Sequence, residues 1–185
     1  MKIVALGHKS RVGKDTLARF MLSYLRQMTR NLGIGRVSFA DKLKDHCFQM
    51  YGHLGLKEKG FYEIEYNAQY RDEPIPKIGK TPVEIWIEVG NKMREVYSNT
   101  WVDLAFETNL DIAIITDMRF PNEANKVIEN NGVLVKITRD QAPVRDSESD
   151  RALDSWTDWD EVFNNNDDLQ ELYKFAVLLC EKYLL

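Results

Sequence analysis

Residues 2–16 constrain the fold more than any other stretch of the chain. Lys2 to Leu6 (KIVAL) is a short apolar run that stops at Gly7, the pattern of a strand buried on both faces. The segment Gly7-His8-Lys9-Ser10-Arg11-Val12-Gly13-Lys14-Asp15-Thr16 follows at once. Beyond it, Leu17, Phe20, Met21, Tyr24, Leu25 and Met28 recur at helical spacing and predict a helix over 14–30. A strand that passes through a glycine-bearing turn straight into a helix opens a βαβ unit, so the remainder should alternate in the same way.

It does. Arg36 to Ala40 (RVSFA) reads as a second strand and 42–51 as a second helix. Residues 52–80 mix Gly, Pro and charge and read as an insertion or mobile segment. Pro82 suits the first turn of a helix reaching about Tyr97, and another helix covers 100–108. Ile112 to Thr116 (IAIIT) is the most strand-like run. Pro121 opens a helix that ends at Asn131-Gly132, and 133–138 (VLVKIT) is the next strand. Residues 139–157 carry too few apolar side chains to be core; 161–164 is a last strand and 168–184 a closing amphipathic helix. The expectation is an α/β fold with a mostly parallel sheet covered on both faces. A chain of 185 residues suits one domain. Its core is expected at 1–51, 109–138 and 158–185, with an insertion at about 52–108 and a lid at about 139–157.

A formal net charge of −4 gives no basic excess, which disfavours a stable nucleic-acid partner, whereas a small anionic ligand needs only a local cationic pocket. Cys47 and Cys180 are far apart and in no metal-like spacing; His8, His46 and His53 make no ligand motif. No apolar run approaches the ~20 residues of a membrane span. A strand beginning at residue 2 leaves no room for a signal peptide, so a soluble, cytoplasmic protein is expected.

The glycine turn between strand and helix is the context in which a phosphate-binding loop works. Backbone N–H groups of Lys9, Ser10, Arg11, Val12 and Gly13 can turn inward onto phosphate oxygens, the helix N-terminus adds partial positive charge, and Lys14 adds a full one. The strict pattern has four residues between its glycines. Here there are five, with His8 where the first glycine would fall. Asp15 stands where Ser or Thr normally offers a hydroxyl to Mg²⁺; a carboxylate can bind that metal directly or through water, and Thr16 can offer its hydroxyl to a phosphate. The plain alternative is a Gly/Lys turn before a surface helix.

Phosphate-loop enzymes need an acidic residue at the end of a neighbouring strand, and Asp117 follows 112–116 directly; otherwise it caps the helix at Pro121. Arg119, two residues on, can hold phosphate as a fork. Asp41 after the second strand either holds an acceptor or caps a helix. Arg94 is a phosphate ligand or a solvated helix charge. Arg139, Arg145 and Arg151 suit a lid that closes over phosphates, or an ordinary wet surface.

Taken together, these segments resemble the phage-type deoxynucleoside monophosphate kinases, a P-loop kinase family. GHKSRVGKDT is similar to that family's phosphate loop, including the Asp after the lysine. SFADKLK resembles its Phe-Ala-Asp-Pro-Leu-Lys motif, with Lys42 in place of the proline. TPVEIWIEVGNKMRE with Trp101-Val102 resembles its central helical segment, departing at Val83 and Asn91-Lys92. TDMRFPNEA looks like its Asp-x-Arg-Phe-Pro-Asn-Glu signature. Ser147-Glu148 and Asn164-Asn165 resemble its lid and base-side segments.

The resemblance implies a P-loop NTPase-type three-layer sandwich and ATP- and Mg²⁺-dependent conversion of a dNMP to the dNDP. It places Lys14, Asp15, Thr16, Asp117 and Arg119 with phosphate and metal (Asp15 and Asp117 for the metal) and Asn165 on the base side of ATP; Arg139 and Arg145 are the lid candidates for the transferring phosphate. Asp41, Lys44, Trp86, Arg94, Trp101 and Arg119 fall on the acceptor side. A small-molecule partner and a homodimer are expected. Other readings of the same loop are a dephospho-coenzyme A or phosphomevalonate kinase type, a kinase of modified bases in DNA, and a non-catalytic nucleotide-binding module.

Overall fold

The structure is a computed structural model that describes residues 1–142 and 148–185. Five strands form one parallel sheet: β1 (Lys2–Gly7), β2 (Ile34–Val37), β3 (Ile112–Met118), β4 (Val133–Thr138) and β5 (Glu161–Asn164), in the order β2-β3-β1-β4-β5. The helices are α1 (Lys14–Met28), α2 (Phe39–Tyr51), α3 (Lys59–Glu63), α4 (Pro82–Val96), α5 (Thr100–Phe106), α6 (Pro121–Glu129), α7 (Glu148–Arg151) and α8 (Leu169–Leu179). Among the described residues no helix is long and apolar enough to cross a membrane.

β1 lies at the centre because its side chains are apolar on both faces. It pairs with β3 (Ile3 with Ala113, Ala5 with Ile115) and with β4 (Ala5 with Leu134). The period-2 alternation of a strand sorts those side chains to two faces. On one face Val4, Leu6, Ile112, Ile114, Val135 and Ile137 pack with Leu17, Met21 and Leu25 of α1 and Leu172, Ala176 and Leu179 of α8. Each large side chain so buried contributes roughly 1.5–3 kcal/mol. Ile3 is on the other face with Val127 of α6; a Cβ on Gly132 would reach both side chains. The result is an α/β fold with a helical layer on each side of a parallel sheet, as the alternation of periods predicts.

The chain divides into two compact units, residues 1–38 with 108–185, and residues 39–107. The first holds the sheet. The second is helical, built around Leu43, Cys47, Leu56, Tyr62, Ile75, Ile85, Trp86 and Trp101. Its helix α4 starts where Pro82 predicts, with a reciprocal cap: Glu84 N–H donates to Thr81 Oγ1 (3.1 Å) and Thr81 N–H to Glu84 Oε2 (2.7 Å).

The boundaries around β2, α2 and β3 differ from the sequence expectation. The strand expected at 36–40 ends at Val37, and α2 begins at Phe39 rather than 42. Phe39, Leu43 and Cys47 are the buried stripe of α2, at i, i+4 and i+8, so Phe39 belongs to the helical period although it also alternates with Val37. Asp41 is therefore in the first turn of a helix, and not between strand and helix. The strand expected at 112–116 continues to Met118, so Asp117 lies inside β3.

Candidate active site

The C-terminal ends of the parallel strands are where an open α/β sheet binds ligands, and the loop after β1, Asp117 of β3, Arg119 after β3, Arg139 after β4 and Asn165 after β5 lie at those ends. Gly7 closes β1 with little space around it: a Cβ would come within 2.6 Å of both Met118 and Trp159. The loop of residues 8–13 then turns through left-handed backbone at His8 (φ 80°), Arg11 (φ 58°) and Gly13 (φ 103°). Gly13 caps α1, and a Cβ on it would meet Asn165 Nδ2 at 2.3 Å. That amide donates to Val12 O (2.8 Å) while Asn165 N–H donates to Thr138 O (2.8 Å). Asn165 thus ties the loop to the end of β4.

Lys14 enters α1 with only 6% of its surface exposed. Its ammonium donates to His8 O (3.1 Å) and to Lys9 O, two carbonyls of its own loop. Burial drives its pKa from the ordinary 10.5 down to about 8; the Arg119 cation pushes the same way, and Asp15, Asp150 and Asp117 push back. A cation held at that cost beside carboxylates and an arginine suits a site that receives anionic charge. Asp15 is exposed on the first turn, and Thr16 Oγ1 accepts from Arg19 (3.4 Å). Arg11 is also exposed.

Asp117 accepts a hydrogen bond from Ser38 Oγ (2.7 Å), so the residue just after β2 orients the carboxylate on β3. The turn that follows is fixed by Glu123, buried in α6, whose Oε2 accepts from the backbone N–H of Arg119 (2.7 Å) and of Phe120 (3.1 Å). The Arg119 guanidinium donates to Asp150 of α7, which also accepts from Ser10 Oγ (3.1 and 3.0 Å). Asp154 accepts from His8 Nε2 (3.1 Å) and lies 3.5 Å from Lys9 Nζ. Burial lowers the His8 pKa, against the hydrogen bond with Asp154. Beside the loop, a cavity of about 560 Å³ is lined by Arg139, Asn165, Asp167, Asp168, Leu169 and Gln170.

Lys14, Asp117, Arg119, Arg139 and Asn165 therefore share the first unit with the loop. Arg145 and Ser147 lie outside the described residues. Asp41, Lys44, Trp86, Arg94 and Trp101 belong to the second unit. There Asp41 is 3.5 Å from Lys59 Nζ, and Lys44 Nζ is 5.5 Å from the Trp86 ring centre. Arg94 donates to Asn91 Oδ1 (3.2 Å), and Trp101 Nε1 donates to Gly90 O (3.2 Å). Trp86 Nε1 is buried with no partner among the described residues. Sequence reasoning passed over Ser38, Glu123, Asp150 and Asp154. Glu123 stood within the quoted TDMRFPNEA, but nothing in a polar stretch distinguishes an acid that folds back onto the loop from one in solvent.

No family model matches the chain. A protein of Acanthamoeba polyphaga mimivirus named "Putative deoxynucleotide monophosphate kinase" is 27% identical over 186 residues, covering 91% of this chain and 90% of the relative. Among solved structures, shikimate kinase from Aquifex aeolicus is 16% identical with a TM-score of 0.40, covering 98% of this chain and 97% of that one. A Borrelia burgdorferi protein described as a "putative plasmid partition protein", bound to AMPPNP, is 11% identical with a TM-score of 0.35, covering 98% of each. At these scores the structural likeness carries no weight of its own; the fold rests on the strand order and register above.

Proposed function

We propose that the chain is an ATP- and Mg²⁺-dependent kinase that phosphorylates a deoxynucleoside monophosphate, giving the dNDP and ADP. The observation that carries this reading is Lys14: a buried ammonium at a glycine-capped helix start, with Asp117 and Arg119 close enough to perturb its charge. That grouping offers cations, helix dipole and backbone N–H groups to a polyphosphate. The 27% identity to the mimivirus protein over nine-tenths of both chains favours a nucleotide acceptor. The cavity lined by Arg139 and Asn165 is the space for the donor nucleoside.

In the reaction an oxygen of the acceptor phosphate forms a bond to Pγ of ATP as the bond from Pγ to the β,γ-bridging oxygen breaks, and ADP leaves with that electron pair. An acceptor monophosphate is already nucleophilic at neutral pH, so no residue has to take its proton. What the chain supplies is alignment and charge. Lys14 pairs with the β- and γ-phosphates, and Arg119 offsets charge spreading over the transferring group. Oxygen donors suit Mg²⁺, which takes one or two carboxylates and fills its shell with phosphate and water. Asp117, aimed by Ser38, fits that requirement, with Asp15 at the start of α1 as the outer candidate. Bound there, the metal would neutralise phosphate charge. Asp41, Lys44, Trp86, Arg94 and Trp101 are the acceptor-side candidates.

The test is ADP formation from Mg²⁺-ATP against a panel of dNMPs and NMPs, with Lys14→Ala as control. Turnover on one or more dNMPs, abolished in the variant, is expected. Turnover on NMPs alone would keep the mechanism and remove the deoxy preference. ATP binding with no nucleotide acceptor would overturn the reading and point to another small acceptor or a non-catalytic module.

A further inference from the structure

Asp150 has no place in the chemistry above, yet it touches two of its parts. Its side chain is almost fully enclosed, with 5% of the residue exposed. A carboxylate is buried to that degree only when paired, because an uncompensated one costs several kcal/mol. The pairing is specific. Ser10 Oγ of the phosphate loop lies 3.1 and 3.0 Å from the two carboxylate oxygens, and Arg119 Nη1 donates to Oδ1. One acid from α7 thus joins the loop after β1 to the arginine after β3. Glu123 holds the Arg119 backbone N–H, and Asp150 holds the guanidinium.

These contacts are not those of a carboxylate standing in for a phosphate. Such a group would sit on the Lys14 ammonium, whereas that ammonium donates to His8 O and Lys9 O. Asp150 holds a serine hydroxyl and one nitrogen of a guanidinium. The Arg119 side chain stays 27% exposed, so the rest of its fork can meet a ligand.

We propose that Asp150 is a positioning residue for phosphoryl transfer: its buried carboxylate clamps Arg119 to Ser10 of the phosphate loop and keeps the guanidinium aimed at the transferring phosphate. The proposal rests on the kinase reading above. Misplacing a charge-stabilising group by about 1 Å costs on the order of 100-fold in rate, so the loss should appear in kcat.

The experiment compares Asp150→Asn, Asp150→Glu, Ser10→Ala, Arg119→Met and the Asp150→Asn/Arg119→Met pair, with ATP binding read by a fluorescent analogue. For Asp150→Asn, kcat should fall about 10–100-fold while the ATP Kd changes by less than about threefold. Asp150→Glu should recover most of the rate, and the pair should lose little beyond Arg119→Met alone, because groups acting as a unit are non-additive. Tighter ATP binding with kcat unchanged would overturn the proposal and make Asp150 a competitor for the cationic site. Losses that add, with no rescue by Glu and a matching drop in melting temperature, would reduce it to a fold contact. Should Asp150→Asn fail to fold, Ser10→Ala decides: a several-fold lower kcat at constant KM supports the clamp, and an unchanged kcat overturns it. Slow rotation of the Arg119 guanidinium, seen as resolved Nη–H resonances in the wild type and lost in Asp150→Asn (or Ser10→Ala), reads the clamp without turnover. A chain that showed those resonances but phosphorylated no nucleotide would refute the kinase reading and leave the clamp standing; their absence from the wild type would sink the clamp alone.

Discussion

Lys14 makes the burial of the loop's cation measurable as stability. In the fold its pKa is about 8 against an ordinary 10.5. At 1.36 kcal/mol per pH unit, that difference corresponds to roughly 3 kcal/mol. The sign follows from proton counts. Below pH 8 the folded and unfolded chains both carry the proton, so the full burial cost is present and stability does not change with pH on this account. Between pH 8 and 10.5 the unfolded chain keeps the proton and the folded chain has lost it, so stability rises with pH. Lys14→Met removes the titration but keeps a long apolar stem. The unfolding free energy of wild type minus that of Lys14→Met, from urea titrations at half-unit steps from pH 6.5 to 10.5, should be flat at first. It should then climb in favour of the wild type by about 3 kcal/mol. Taking the difference cancels the other titrating groups and any constant packing change. Saturating Mg²⁺-ATP should flatten the rise, because phosphate beside the ammonium returns its pKa toward the ordinary value. A flat difference curve without nucleotide would refute the placement of Lys14 as a buried cation.

Two further outcomes follow from the same unit and from the thiols. Gly13→Ala puts a side chain at φ 103° and drives it into the Asn165 amide; the strain and the broken bond to Val12 O should together cost about 2 kcal/mol or more in urea denaturation and weaken ATP binding. Burial raises the Cys47 thiol to about 11 and the Cys180 thiol to about 12, so neither should react with a disulfide reagent at pH 8 until denaturant is added. Rapid native-state labelling of either would contradict its enclosure.

The parts legible in the sequence were those set by periodicity and by backbone geometry. β1, β4 and α4 announce themselves by apolar period and by a proline at the first helical turn, and the loop by its glycines and lysine. The β2–α2 junction was misread because Val37, Phe39, Leu43 and Cys47 satisfy a strand period and a helix period at once, and packing decided between them. Ser38, Glu123 and Asp150 were missed for a different reason. Ser38 and Asp150 act through bonds to residues distant along the chain, and Glu123 through the backbone N–H groups three and four residues before it; a polar side chain shows nothing in sequence of which partner it will take. The stretch 139–157 looked too polar to be core, and Asp150 is buried there all the same, with Arg119 offsetting its charge and Ser10 donating to it.

The strand order also bears on how the chain becomes a protein in time. β1 is made first but has no strand beside it until β3 appears: Lys2 aligns with Ile112, and the other neighbour, β4, is later still. Between them, residues 39–107 form a unit with its own apolar centre. During synthesis that unit can collapse while the amino-terminal strand and loop wait. The contacts that complete the loop come last, since Asn165, which tethers it through Val12, follows β5. Closing contacts this distant in sequence makes the sheet the slow step of folding. This chain order predicts a ribosome-bound intermediate with a formed helical unit and an unfinished 8–13 loop.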